Sequence, residues 1–458
     1  MKNGHRPMRR QKREVTSPEE LRRILEKCQI LRIGAMDEEG MFVVPVNYGF
    51  EWEDELLLYF HSAKEGRKAD AFRKDPNVAF ELDCGYEVIT GDYACSYSAA
   101  YESIMGNGTV TLLETPEKKE RALTLLMKHA APGANLVFRP EMLEAMKNFY
   151  KNRFDVELET DQIMSMYGSQ EGMAHIALVM CDPGDVVLVP NPGYPVFGMG
   201  PQLMGAKVET YPLYAENNFL PDFADIPEKT AKAAKFMIIS YPANPVCSVA
   251  DDSFYEKAIA FAKKYNVILL HDNAYSDIIF GGKEGKSFLS YPGAMEVGIE
   301  FYSLSKSYNM TGMRISFALG NKDVIQMFRK VRSQIDYGIF LPIQKAAVAA
   351  LTGPQDNVKE QCRIYEERNY ALCRGMSSIG WKIPDGQGTM FVWAPIPESY
   401  TSSERFTLDL MEKTGMIVTP GTAFGNLGEG YVRIALVHPV ETIEKVVRIV
   451  KESGILEA

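Results

Sequence analysis

Lys306 lies in the run Tyr302-Ser303-Leu304-Ser305-Lys306-Ser307-Tyr308-Asn309-Met310-Thr311-Gly312-Met313-Arg314. The apolar stretch from Ile299 to Leu304 reads as a buried strand that ends just before it. Two hydroxyls, Ser303 and Ser305, precede the lysine, and the guanidinium of Arg314 follows it. An amine so placed can attack an aldehyde and hold it as a Schiff base. The two hydroxyls and the guanidinium can hold a phosphate of the same small molecule. Two charged groups elsewhere invite the same scrutiny. Asp272 follows the apolar run Val267 to Leu270, at the kind of strand end where open α/β sheets bind ligands. Arg433 alternates with apolar neighbours in Gly430-Tyr431-Val432-Arg433-Ile434-Ala435-Leu436, and a buried guanidinium needs an anion.

The elements that must position these groups follow an α/β pattern. Strand-like runs at Ile163–Tyr167, Asp185–Pro190, Phe236–Tyr241 and Val267–Leu270 alternate with helical runs at 173–180 and 252–265. Gly168-Ser169-Gln170-Glu171-Gly172 precedes the first of these helical runs, and small residues there leave backbone N–H groups free for a phosphate. A helix falls within 319–332. Longer helical stretches, 342–351 and 358–375, lead into a last segment with a strand at 388–394 and a helix at 403–413. The first third of the chain differs. After a capped helix at 21–27, short strands are expected at 30–36, 41–50, 56–62, 78–83 and 103–113, with helices at 65–74 and 116–129. Short strands at this spacing suggest a small β-barrel with helices outside.

The Lys306 run resembles the lysine motif of class I aminotransferases of the pyridoxal-phosphate fold-type I family, and further motifs follow in the family's order. That resemblance implies a large mixed-sheet α/β/α domain with a small C-terminal α/β domain. It implies pyridoxal 5'-phosphate as cofactor, with Ser169, Gln170, Ser303, Ser305 and Arg314 around the phosphate and Lys306 as its covalent anchor. Tyr194, in Asn191-Pro192-Gly193-Tyr194-Pro195, matches the aromatic that stacks on the ring. Asn244, in Pro242-Ala243-Asn244-Pro245-Val246, and Tyr275, in His271-Asp272-Asn273-Ala274-Tyr275-Ser276-Asp277, match the residues at the phenolic oxygen. Asp272 would keep the ring nitrogen protonated, and Arg433 would fork the substrate carboxylate. Val246-Cys247 departs from the family's Thr-Gly. Within the family the chain is most similar to the branch containing LL-diaminopimelate aminotransferases. The implied reaction is transamination between an amino acid and a 2-oxo acid, in a homodimer. A carbon–sulfur lyase is the alternative on the same fold.

The first region resembles the pyridoxamine-phosphate-oxidase-like split-barrel family, in its nitroimidazole-resistance branch. Tyr59-Phe60-His61-Ser62-Ala63-Lys64-Glu65-Gly66-Arg67-Lys68 carries the resemblance, with Met8-Arg9-Arg10, Val44-Pro45-Val46-Asn47-Tyr48-Gly49, Tyr101-Glu102-Ser103-Ile104-Met105-Gly106 and Phe138-Arg139-Pro140. It implies FMN bound by His61, Ser62, Lys64 and Lys68, or alternatively Lys64 and Lys68 as a solvated helix face. A second alternative for the whole chain is a flavin-binding redox protein with an inert C-terminal body. The two resemblances divide the chain into 1–146, 147–340 and 341–458, with the seam inside a helix. The aminotransferase arm that bears a substrate loop and a tyrosine reaching the neighbouring subunit has no match before residue 146. That implies a protein that holds its cofactor but turns over poorly.

Composition is consistent with this. The 458 residues are 46% hydrophobic and 24% charged, as in globular proteins. A net charge of −10 argues against a nucleic-acid partner. No apolar run reaches membrane-spanning length, and no apolar leader follows the charged N-terminus. Seven cysteines without a C-x-x-C pair or a His/Cys cluster suggest free thiols in the cytoplasm and no metal site.

Overall fold

The computed structural model describes residues 8–132, 141–336 and 338–457. Phe138-Arg139-Pro140 lies outside the described residues. The chain forms two compact units, divided between Phe138 and Arg139. The helix Glu141–Phe154, which contains residue 146, belongs whole to the second.

The first unit is built from antiparallel pairs. Strands Gly40–Val46, Leu31–Asp37, Asn77–Ile89 and Ser98–Thr109 form a four-stranded sheet in that order, and Gly49–Trp52 pairs with Leu56–Tyr59. The expected single strand 41–50 is therefore two strands in two sheets. The break is at Tyr48, whose ring is buried and whose hydroxyl donates to the Leu25 carbonyl at 2.6 Å. A side chain at Gly49 would overlap the backbone of Leu125 and Leu126, so glycine lets the strand pass the helix Pro116–Ala130. Ile24, Leu25, Leu31, Ile33, Val46 and Leu82 close this unit's own core.

The second unit holds a seven-stranded sheet: Ile163–Met166, Ser316–Gly320, Gly298–Ser303, Ile268–Asn273, Ala234–Ser240, Val186–Asn191 and Lys207–Pro212, in spatial order. Ser316–Gly320 alone runs against the others. The central strands are nearly continuous apolar runs, as strands buried on both faces must be; Phe236, Met237, Ile238 and Ile239 are fully buried. The helix Asp252–Tyr265 starts where the Asp251 carboxylate accepts from the Phe254 N–H at 2.9 Å, and ends at Asn266 in the left-handed region. A second, antiparallel sheet joins Phe391–Pro395, Tyr431–Ala435 and Thr419–Pro420.

One polar cluster sits inside the apolar core. Glu300, in the middle of strand Gly298–Ser303, is wholly buried. Its oxygens accept from the Tyr150 hydroxyl at 2.6 Å, the Ser287 hydroxyl at 2.8 Å and the Phe288 N–H at 2.7 Å, and lie 2.8 Å from His271 Nδ1. His271 Nε2 faces the Tyr241 carbonyl at 3.1 Å. Both imidazole nitrogens thus face oxygen acceptors. Burial alone would raise the Glu300 carboxyl. Bonds from His271, Tyr150 and Ser287, and the His271 charge, bring it below its ordinary value instead. Its contribution to stability is present above the ordinary carboxylate range and lost as pH falls through it. Glu300→Gln should destabilise the protein by about 3–5 kcal/mol, because it breaks a buried, multiply hydrogen-bonded carboxylate–imidazole pair; the shift in urea midpoint measures it.

Candidate active site

Lys306 sits in a single helical turn, Leu304–Ser307, that follows strand Gly298–Ser303 directly. The Ser303 hydroxyl caps this turn by accepting from the Ser305 N–H at 3.1 Å, and the Thr311 hydroxyl donates to the Ser305 carbonyl at 3.0 Å. The lysine is half-buried, and burial, with Arg314 and Arg433 nearby, lowers its pKa while Asp272 opposes them. A lowered pKa favours the neutral amine, the form that attacks a carbonyl.

Asp272 is buried near the end of strand Ile268–Asn273, inside the ladder rather than just past it as the sequence implied. Burial pushes its carboxyl up to about 6 against the opposing charges of His271 and Lys306, and its Oδ1 has no hydrogen-bond partner. Tyr275 and Tyr194 both feel the Asp272 and Arg433 charges, and burial raises both phenols. The Tyr194 hydroxyl donates to Gln170 Oε1 at 3.3 Å. Beside Gln170, the Ser169 hydroxyl is buried and unpartnered. The helix begins at Ser169, earlier than expected, because Gly168 takes φ +94° ahead of it. A Cβ on Gly168 would collide with the Arg314 guanidinium, so the glycine and the arginine share one cramped space.

Arg433 reaches this neighbourhood from the second sheet. Its guanidinium donates to Asn244 Oδ1 at 2.8 Å and lies 4.2 Å from the Phe391 ring and 4.6 Å from Phe424. Among the described residues it has no carboxylate partner. The turn after Asn244 is unusual: Cys247 stands at φ +59°, the left-handed region that favours the glycine found there in the resembling family. Its thiol donates to the carbonyls of Pro245 and Phe391 at 3.2 and 3.3 Å, which holds that backbone in place.

The second unit thus brings together Lys306, Asp272, Tyr275, Tyr194, Asn244, Arg433, Arg314, Ser303, Ser305, Ser169 and Gln170. Among its described residues the first unit shows no comparable gathering. His61, Ser62 and Lys64 are exposed, and the Ser62 hydroxyl turns to the Ala63 carbonyl at 3.0 Å. The helix Arg67–Lys74 begins after Lys64, so Lys64 and Lys68 do not share a helix face. Among the described residues no three metal-capable side chains cluster, and no helix is long and apolar enough to cross a membrane.

Comparison with known proteins decides the family. The profile of the family described as aminotransferase class I and II matches residues 107–450. The chain belongs to this family. A second profile, pyridoxamine 5'-phosphate oxidase, matches residues 17–158, so a domain of that kind precedes the aminotransferase body. An LL-diaminopimelate aminotransferase of Dehalococcoides mccartyi is 46% identical over 307 residues, 67% of this chain and 79% of that protein. One from Desulforudis audaxviator is 42% identical over 334 residues, 72% and 84% of the two chains. Among solved structures, substrate-bound BacF of Bacillus subtilis aligns with a TM-score of 0.67 at 38% identity, covering 69% of this chain and 80% of that one. A probable N-succinyldiaminopimelate aminotransferase of Thermus thermophilus gives 0.65 at 33% identity, covering 68% and 84%. The fold is therefore fold type I, and the activity is pyridoxal-phosphate-dependent transamination. The cofactor fits the residues present. The unpartnered Asp272 oxygen lacks a cationic donor such as a protonated ring nitrogen, and the unpartnered Ser169 hydroxyl, one residue after the Gly168 that crowds Arg314, suits a phosphate.

The sequence passed over the polar cluster behind the site. Glu300 lies inside a run read as apolar, and an acid within such a strand was the available signal. Asp277 stood inside a matched motif without a role. Ionising Asp272 with nothing bound costs the folded state stability. Its folded pKa of about 6 lies above the ordinary value, so the cost appears as pH rises through that range and persists above it. Cofactor-free Asp272→Asn protein should melt above wild type at neutral pH, and the gap should close as pH falls to about 4, the ordinary aspartate range; calorimetry across pH checks this.

Proposed function

We propose that the chain transfers the amino group of a diaminopimelate-like amino acid to a 2-oxo acid, with the site residues in the roles their placement suggests. The support for the substrate class is the identity to the diaminopimelate aminotransferases. The observation that carries the roles is the convergence of an amine with a lowered pKa, an unpartnered buried carboxylate and a carboxylate-free guanidinium in one place. Residues 147–340 would form the large domain and 341–458 the small one, in a homodimer; the unpaired cysteines suit the cytoplasm.

Ser169, Gln170, Ser303, Ser305 and Arg314 would hold the phosphate, Tyr194 would cover the ring, and Asn244 and Tyr275 would bond the phenolic oxygen. The bound cofactor supplies an electron sink for bond breaking at the substrate's Cα. Asp272 offers the ring nitrogen a carboxylate, buried so that water does not dilute its charge. Lys306 would anchor the aldehyde through Nζ and, once freed by the substrate amine, would serve as the base that carries the substrate's Cα proton. Arg433, held by Asn244 between two aromatic rings, orients the substrate carboxylate. The first unit would bind FMN through His61, Ser62, Lys64 and Lys68, a reading supported by the oxidase-family match; an FMN titration followed by fluorescence tests it.

A panel of amino donors tests the substrate class. Amino transfer should require a 2-oxo acid and should be fastest with LL-diaminopimelate. Keto-acid release without an acceptor would mark a lyase instead. Arg433→Ala should raise KM for amino acids by about 10- to 100-fold, the scale of losing a charge-assisted bond, and an unchanged KM would remove Arg433 from the substrate site.

A further inference from the structure

The turn that carries Lys306 is a single helical turn, too short to hold its own shape. Ser303 caps its start and Thr311 fixes the Ser305 carbonyl, yet neither holds the side of the turn beyond the lysine. Asp277 does. Its side chain is only 7% exposed, and its Oδ2 accepts from the Ser307 hydroxyl at 2.7 Å and from the Tyr302 hydroxyl at 2.7 Å. Tyr302 closes strand Gly298–Ser303 but for one residue, and Ser307 is the residue after the lysine. One carboxylate therefore ties both ends of the stretch that carries Lys306.

The charge of Asp277 is met elsewhere. Arg153, on helix Glu141–Phe154, places Nε 3.5 Å from Asp277 Oδ1, with its guanidinium 4.8 Å from the Phe154 ring and 3.7 Å from Glu284. No ion pair joins Asp277 to Lys306 among the described residues. The carboxylate acts on the lysine through Ser307 and the backbone, by position rather than by field.

We propose that Asp277, anchored by Arg153, is a positioning residue that holds the Lys306 amine where it meets the cofactor aldehyde. This rests on Lys306 being the lysine that bonds that aldehyde. Fixing an amine beside its electrophile raises its effective concentration, so the covalent linkage should depend on Asp277. Contacts to the phosphate and ring should not.

Two forms of the cofactor separate these effects. Pyridoxal 5'-phosphate can bond Lys306, whereas pyridoxamine 5'-phosphate has no aldehyde and uses only the other contacts. Affinities of both are measured on the full chain for wild type, Asp277→Asn and Ser307→Ala. Ser307→Ala removes one hydroxyl from a helical turn and keeps the fold testable if the Asp277 variant fails to fold. In both variants the preference for the aldehyde over the amine form should fall by about tenfold, the scale of one hydrogen bond to a charged acceptor. Pyridoxamine phosphate affinity should stay as in wild type. If both affinities fall together, Asp277 is merely structural, and if the preference is unchanged in Ser307→Ala, the proposal is overturned. Lys306→Ala serves as the separate control: borohydride must fix no cofactor to it, and fixation there would refute the lysine assignment itself.

Discussion

A buried carboxylate must find a cation or enough donors, and the second unit is arranged around three that are solved differently. Glu300 receives donors on both oxygens and faces the His271 ring. Asp277 takes two hydroxyls and a guanidinium. Asp272, one residue from His271 on the same strand, retains an oxygen without any partner. Desolvation makes a buried charge costly, so a cationic donor at the open Asp272 oxygen would lower that cost. The two satisfied acids fix the strand and the turn that flank the unsatisfied one.

The strand order turns this local chemistry into a site. Parallel neighbours put the carboxyl ends of Ala234–Ser240, Ile268–Asn273 and Gly298–Ser303 side by side, which brings Asn244, Asp272 and Lys306 to one edge. The small sheet then returns Arg433 to Asn244, 189 positions earlier in the chain. Cys247 shows what that closure tolerates. Its strained backbone is held by thiol bonds to two carbonyls, one of them on strand Phe391–Pro395 of the small sheet. A departure from the family's usual turn is thus absorbed by a side-chain bond that a glycine could not make.

The first unit follows a different logic. Antiparallel pairing lets its sheet bury one face and expose the other, and its core is small. His61, Ser62 and Lys64 lie in the segment between strand Leu56–Tyr59 and helix Arg67–Lys74, with Lys68 inside that helix, and nothing buried among the described residues compels them to converge. Similarity of sequence there marks a domain type, while the tight geometry of the second unit has no counterpart among its described residues.

The sequence alone was enough for the fold class and for five of the seven strands of the large sheet, though not for Lys207–Pro212 or Ser316–Gly320. Those features rest on local pattern: apolar runs for buried strands, small residues ahead of a helix, a lysine among hydroxyls. It could not reveal that Glu300 is buried and satisfied, because four of its partners come from distant segments and an acid in a strand reads the same whether paired or exposed. Nor could it separate the strand 41–50 into two, since that break depends on Tyr48 reaching Leu25 and on the close passage of Gly49 by a helix far along the chain. The partnerless oxygen of Asp272 and the tether from Asp277 to Ser307 were likewise decided only in three dimensions, because hydrogen-bond satisfaction depends on which groups meet after folding.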